Sequence, residues 1–501
     1  MAKRRTFILV AILGLALSPP VDATWSILIA DKKTKEVAIG SVTCLNNFDL
    51  RAITPVMLVG VGGATAQAAG DFDGIRRPII REELLNGTDP QEIITILAGV
   101  PGHNFRQYGI VDTVGRASTF TGVLANDWAG GVIGEQGDLV YAIQGNILAG
   151  ACVVEAAEQE LLDTVGDIPA KLMASMEAAR AMGGDGRCSC HPTQADSCGC
   201  PPLPFTKTGH IGYMLIGRIG DIDDPVCNAQ GCADGDYFMN FNVAFQGGAA
   251  LDPVLQMQVL FDQWRADLLG RPDAVQSSVT IAAAGTGVEM TIELVDWEET
   301  PLATGSVVLT VEHEVDSAGL STIGPVTEVG DGVYTVSIVP DPGAGVDRFR
   351  ITADDAIRPV VLMPSPTLCI GDIAGGLSLD CNSNGLADEC EVFDGLAEDT
   401  NGNSIPDECE RFERGNCDAN DTLDLADAIH GLEYLFGDVT SVVCEKACDT
   451  DDTGNLNLAD PIVLLELLFI PGRPPLPDPY QECGFDPTAD ALTCTPFAPC
   501  L

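Results

Sequence analysis

The cysteines of this chain are spread so unevenly that they divide it before any other feature is read. Of the 18, only Cys44 and Cys152 come before Cys188, whereas ten come after residue 368. A stretch with few cross-links must be held by its own apolar core, while a cysteine-dense one is stapled. At 501 residues the chain is too long for one core, so several domains are expected. Hydrophobic content of 46% excludes a disordered chain. The formal charge of -47 makes nucleic acid and anionic membrane surfaces poor partners, and suits a solvated surface or divalent cations.

So many cysteines imply disulfides and an oxidising compartment. The first residues agree. Lys3, Arg4 and Arg5 precede an apolar run over 7–17, then Ser18-Pro19-Pro20 and Val21-Asp22-Ala23, with small residues at the cleavage-reading positions. Residues 1–23 are therefore expected to be a signal peptide, with Thr24 opening an exported protein that is secreted, periplasmic or at the cell surface. The apolar run falls short of the roughly 20 residues that span a bilayer, and none like it follows, so no membrane insertion is expected.

Beyond Thr24, strand-like segments at 25–30 and 36–43 flank a polar turn and read as a hairpin. The Gly- and Val-rich stretch 56–69 reads as one buried strand. Helices are expected at 74–85 and 90–97, then strands at 107–112, 117–121 and 139–145. A helical pattern over 151–182 is broken at Gly166, with Asp167 capping its second half and Leu172, Met173, Met176 and Ala179 forming a core stripe. Strands at 210–216 and 237–245 precede a last helix at 252–268. This order suits an α+β domain of layered sheets and helices over 24–268. Between 275 and 368, short alternating runs separated by turn residues read as an Ig-like β-sandwich serving as a spacer or binding module.

The tail is rich in Asp, Asn, Gly and Cys. Asp380, Asn382, Asn384, Asp388 and Glu391 fall at positions one, three, five, nine and twelve of a calcium-type loop, and Asp399, Asn401, Asn403, Asp407 and Glu410 repeat the pattern. Asn416, Asp418, Asn420, Asp424 and Asp427 form a third set, and Asp449, Asp451, Thr453, Asn457 and Asp460 a fourth, each leading into an apolar helix. Alternate oxygen side chains wrap one hard cation, so Ca2+ is the expected cofactor. Acidic turns without a metal are the alternative, since Asp, Asn and Gly also favour turns. The first pair, within 376–412, is similar to thrombospondin type 3 repeats. The second, within 413–501, resembles dockerin-type modules, which implies a cohesin-like partner; a free-standing calcium-stabilised tail is the other reading.

Thr24-Trp25-Ser26-Ile27, Gln67-Ala68, Phe120-Thr121-Gly122, Asp127-Trp128-Ala129-Gly130, the segment 142–148 and Gly183-Gly184-Asp185-Gly186-Arg187 resemble the domain-of-unknown-function 1028 family, grouped with the N-terminal-nucleophile (Ntn) hydrolases. That resemblance implies an αββα fold for 24–268. It leaves the substrate open, because the family has no settled activity. The chemistry of Thr24 stands beside it. A threonine hydroxyl needs a base, and at an N-terminus its own α-amine supplies one. Cleavage after Ala23 would free that amine. Asn146 is a candidate oxyanion donor and Asp185 with Arg187 a candidate charged pair at the site, while Lys32 or Lys33 could tune the amine. A turn-forming Asn, a structural loop pair and exposed turn lysines are the respective alternatives.

Gly60-Val61-Gly62-Gly63 lacks the spacing and Lys-Ser/Thr end of a phosphate loop. Cys188, Cys190, Cys198 and Cys200 with His191 read as two disulfides, with a zinc site as the alternative; Cys227 and Cys232 close a small loop. Two functions remain. One is an exported hydrolase of an amide-like bond with a calcium-stabilised attachment tail. The other is a non-catalytic binding or scaffold protein keeping the hydrolase-like fold.

Overall fold

The protein is β-rich and multi-domain, with several separate sheets and few helices. The computed structural model describes residues 24–284, 287–315, 317, 321–340, 346–369, 391–392, 397, 399, 406, 411–420, 422–437, 441–484, 486, 488, 492–494 and 497–500. They form two compact units. The first runs to Ser277 and takes in Leu294–Leu302 and Ala353–Pro364; the second holds Ser278–Glu293, Ala303–Thr352 and the chain from Ser365.

In the first unit a six-stranded antiparallel sheet is built from β1 (Thr24–Asp31), β2 (Val37–Thr43), β7 (Ala129–Gln136), β8 (Leu139–Asn146), β9 (Ile211–Gly217) and β10 (Met239–Val243). Its order is β10-β9-β2-β1-β8-β7, so β1 is central. A second sheet holds β3 (Pro55–Leu58), β4 (Gly62–Gln67), β5 (Gln107–Asp112) and β6 (Ala117–Thr121), in sequence order. The helices are α1 (Arg76–Leu85), α2 (Pro90–Leu97), α3 (Cys152–Asp163), α4 (Ile168–Ala181), the single turn α5 (Gly186–Ser189) and α6 (Pro253–Asp267).

Side chains alternate across a strand, and β1 divides accordingly. Trp25, Ile27 and Ile29 pack with Leu161, Leu172, Met176 and Met257 of α3, α4 and α6. Leu28 and Ala30 face the other way, onto Met57 and Val111 of the second sheet. That sheet's far face, with Val56, Ala64 and Ile110, is covered by Ile80 of α1 and by Ile93 and Leu97 of α2. The layers run helices, sheet, sheet, helices. The Leu172–Met176 stripe is core, as its spacing requires.

The stretch read as one strand over 56–69 is instead the β3–β4 hairpin, which turns at Gly60 with φ +71°. Gly63 lets the sheets meet, because a Cβ there would lie 2.9 Å from Val37 Cγ1. Strand β7 was not expected. Its three glycines and alternating exposure at the sheet edge give a weak apolar signal.

Arg218 locks the base of this unit. Its guanidinium is buried, donates to Glu36 Oε1 at 2.7 Å and to Asp273 Oδ2 at 3.0 Å, and lies 3.7 Å from the centre of the Phe238 ring. Replacing it with methionine strands two buried carboxylates, so Arg218→Met is expected to cost about 3–5 kcal/mol in chemical denaturation. A loss below about 1 kcal/mol would show that the pair contributes little.

In the second unit Ser278–Ala284, Gly287–Glu293 and Val333–Val339 form one antiparallel sheet, and Val308–His313, Val346–Asp354 and Thr367–Cys369 belong to another. Their burial alternates, as in Val333–Val339 where Tyr334, Val336 and Ile338 are buried. The tail carries α7 (Leu425–Phe436) and α8 (Ala459–Phe469), which pack together through Ala428 and Leu464 with Leu476.

Seven disulfides join described cysteines, and two of them correct the expected pairing within the Cys-rich insertion. Cys190 bonds Cys198 locally, but Cys188 reaches back to Cys44 and Cys200 to Cys152. The two isolated early cysteines thus anchor the insertion to the domain. His191 is exposed and contacts Thr193; His210 lies 3.6 Å from the Cys188 sulfur. Cys227–Cys232 closes its small loop as expected.

Candidate functional site

Thr24 begins the central strand and is 2% exposed. By the alternation of β1 its side chain belongs to the face turned to the second sheet, with Ser26. At this end the space between the sheets is polar. Thr24 N donates to Asn146 Oδ1 at 3.1 Å, and Gln67 Nε2 donates to Thr24 O at 2.9 Å. Gln67 Nε2 also donates to Gln107 Oε1 at 2.8 Å, and Ser26 Oγ donates to Gln67 Oε1. Gln107 Nε2 reaches Gly145 O at 2.9 Å, and Gln144 Nε2 reaches Thr65 Oγ1 at 2.8 Å. Gln67, Gln107, Gln144, Asn146 and Ser26 are all fully buried, so the two sheets are stitched here by side-chain amides.

Asn146 sits directly opposite Thr24 in the β1–β8 register. Its Nδ2 donates to Ala125 O at 3.2 Å, which aims its carbonyl oxygen at the Thr24 nitrogen. That orientation suits holding an amine and differs from the oxyanion-donor role expected from sequence. Asp185 and Arg187 are brought together as a pair. Arg187 Nη2 donates to Asp185 Oδ2 at 2.8 Å and to Thr43 Oγ1 at 3.4 Å. The register that pairs Trp25 with Val42 carries Thr43 alongside Thr24. Asp185 is fully buried, caps α5 and accepts from Cys44 N at 2.7 Å, so the Cys44–Cys188 bond fixes the pair in place. Lys32 and Lys33 lie at the opposite end of β1, in the turn before β2, and cannot act on the Thr24 amine.

Backbone strain gathers at the same end. Ala68, just after Gln67, has φ +74°, and Ile147, just after Asn146, has φ +53°. A β-branched residue in that region is a true outlier, held only when its surroundings over-determine it. Sequence reading gave Gln107 no role and quoted Ser26, Gln67 and Gln144 only within the family-like segments, because nothing local marks which polar residues of one strand meet those of another. Gln67→Ala removes the partner of Thr24 O, Ser26 Oγ and Gln107 Oε1 together. It is expected to lower stability by about 3 kcal/mol in a urea melt, from buried groups left unpaired at ~1–3 kcal/mol each; a loss under about 0.5 kcal/mol would remove the network's structural importance.

In the tail the fourth acidic loop converges. Carboxylate oxygens of Asp449, Asp451 and Asp460 lie within 4.8 Å of one another. Asp449 and Asp460 are buried, and Asp451 Oδ1 has no hydrogen-bond partner. Burial, then repulsion from Asp451 and Asp449, pushes Asp460 up to about 7. Asn457 Oδ1 instead accepts from Ala459 N, the first residue of α8, at 2.9 Å, and of Thr453 it is the backbone N–H that binds Asp449, at 3.2 Å.

The third loop is looser. Asp427 is buried and pushed up to about 6 by burial, with Asp418 beside it. Asn416 Oδ1 accepts from Asn420 N at 3.1 Å, and Asp424 caps α7. Cys417–Cys448 joins the two loops, and Arg414, overlooked in sequence, donates to Asp449 O at 2.6 Å and Asp452 Oδ1 at 2.9 Å. Of the first two loops only Glu391 and Asp399 are described; Asp380, Asn382, Asn384, Asp388, Asn401, Asn403, Asp407 and Glu410 lie outside the described residues. Among the described residues no helix is long and apolar enough to cross a membrane.

Three solved structures are similar to parts of the chain. Protein SPO2555 from Silicibacter pomeroyi, assigned to DUF1028, is 18% identical, with 48% of this chain and 85% of that one covered and a TM-score of 0.34. The ZirS C-terminal domain is 20% identical over 18% of this chain and 64% of its own, with a TM-score of 0.14. FdeC, an Escherichia coli adhesin, is 12% identical over 68% of this chain and 98% of its own, with a TM-score of 0.13. No curated protein matches the chain significantly. Residues 24–194, the segment that carries Thr24, Asn146, Asp185 and Arg187, match the model of the Family of unknown function (DUF1028).

Proposed function

We propose that the chain is exported, cut between Ala23 and Thr24, and then acts as an Ntn-type hydrolase of an amide-like bond. The observation that carries this reading is the setting of Thr24. It is the first residue of a central strand, at the polar end of the space between two helix-covered sheets, with its nitrogen held by Asn146 and its carbonyl by Gln67. Once cut, the α-amine takes the hydroxyl proton as Oγ1 attacks the substrate carbonyl. The tetrahedral intermediate then expels the leaving amine, which takes the proton back, and leaves an ester on Thr24. Water, activated by the same amine, releases the acid and restores the hydroxyl. Burial lowers an amine's pKa below its free value of roughly 7.7–8.0, which favours the neutral base at physiological pH. Arg187, oriented by both oxygens of Asp185, supplies positive charge at the rim.

Calcium belongs to the tail in this account. Asp449, Asp451 and Asp460 present convergent oxygens with one of them unpartnered, a donor set suited to a hard cation. With Ca2+ bound, the duplicated loops and α7–α8 form a dockerin-like attachment module for a cohesin-like partner. The competing reading, a non-catalytic binder, draws support from the near-complete hydrogen bonding of the Thr24 network. Incubation of the exported protein with a β-lactone electrophile, followed by peptide mapping, separates the two. A stoichiometric ester on Thr24 is expected, and no adduct across a panel of such electrophiles sinks the hydrolase.

A further inference from the structure

A cavity lies in the first unit, toward the end of β1 opposite Thr24. It measures about 600 Å3 and is lined by Phe261, Trp297, Asp167, Arg265, Gln276 and Glu298. A neighbouring cavity of about 310 Å3 shares Gly166, Asp167 and Gln276 with it. Arg265 Nη2 and Asp167 Oδ1 are hydrogen-bonded, but the pair is single-stranded: Arg265 Nη1 and Asp167 Oδ2 are both buried with no partner. Their side chains are only 8% and 6% exposed. Buried polar atoms are nearly always paired, so an adjacent orphan donor and orphan acceptor in a cavity wall ask for a ligand.

The aromatic wall is held in place. Trp297 Nε1 donates to Arg265 O at 2.9 Å, and its turn is pinned by Asp296, which accepts from Glu298 N and Thr300 N at 3.0 Å each. Glu299 in that turn has φ +61°, a conformation that non-glycine residues adopt only under constraint.

The chemistry of the wall narrows the ligand. An anion would meet Asp167, Glu298 and Glu299, and a cation would meet Arg265. A hydroxyl both donates and accepts, so it suits a wall that offers the unpartnered acceptor Asp167 Oδ2 and the unpartnered donor Arg265 Nη1. Apolar ring carbons beside such hydroxyls would cover Trp297 and Phe261. We propose that this cavity is a binding subsite for a neutral saccharide, distinct from the Thr24 site and independent of the reaction there.

Titration of the full chain with cellotriose, maltotriose, chitotriose and trigalacturonic acid, followed by tryptophan fluorescence and calorimetry, tests it. At least one neutral trisaccharide is expected to saturate with a Kd of about 1 mM or tighter, while the acidic trimer does not bind. Trp297→Ala is expected to weaken binding at least about tenfold. Asp167→Asn, which keeps the cap of α4, is expected to weaken it as well and serves if Trp297→Ala fails to fold. No saturation by any neutral trisaccharide, equal binding of the acidic one, or unchanged affinity in the folded variants would overturn the assignment.

Discussion

Thr24→Ala is expected to eliminate covalent labelling by the β-lactone and to lower turnover of any substrate found by at least about a thousandfold, because no other nucleophile replaces the hydroxyl. Its melting temperature should stay within a few degrees of the parent, since the hydroxyl is one buried polar group among many. Thr24→Ser keeps the oxygen and is expected to label. Asn146 sharpens the prediction because it acts through the amine. In Asn146→Asp a carboxylate replaces the amide beside the Thr24 nitrogen, 3.1 Å away in the native arrangement. It favours the ammonium form, so the pH at half-maximal labelling should rise by about one unit or more. A merely structural asparagine would change the yield of folded protein and leave that midpoint where it was.

The second large effect concerns the tail. Adding calcium to metal-stripped protein should raise the melting temperature of the tail transition, by about 2.7 kcal/mol of stabilisation at a hundredfold excess over Kd. For a segment of this size each kcal/mol moves the midpoint by about 4–8 °C. Asp460→Ala should remove much of the gain, since Asp460 is a buried member of the converging trio.

The pH dependence has a definite sign. Without metal, Asp460 holds its proton up to about 7 in the folded state. The folded tail then binds more protons than the unfolded chain, whose Asp pKa is about 3.9, and its stability falls as pH rises through that interval. Calcium needs the deprotonated form, so its stabilising effect should grow over the same interval. A calcium shift that is absent, or larger at about pH 5 than at about pH 8, would contradict the proposed site.

What could be read from the chain alone followed physical locality. The β1–β2 hairpin, helices α1–α4 and α6, and the cap of α4 by Asp167 were legible because periodicity and capping are local signals. Strand β7 escaped because a glycine-rich edge strand buries little, and the break at Gly60 was hidden inside a uniformly apolar run. Thr24, Asn146, Asp185 and Arg187 were named from the chain and do gather at one end of the sheets. The hydrogen bonds that tie them together were not legible, since Gln67, Gln107 and Gln144 meet only through pairing between strands distant in sequence. The same reason concealed the partners of Cys44 and Cys152. Trp297 likewise gave no signal, because the turn that carries it meets α6 only in the folded unit.

The proposed hydrolysis depends on a free amine at Thr24. The most direct measurement is the intact mass of the protein recovered after export, with disulfides reduced. The account predicts a single chain whose mass corresponds to residues from Thr24 onward. A mature chain that starts at any other residue, or one that still carries the segment before Thr24, would contradict it.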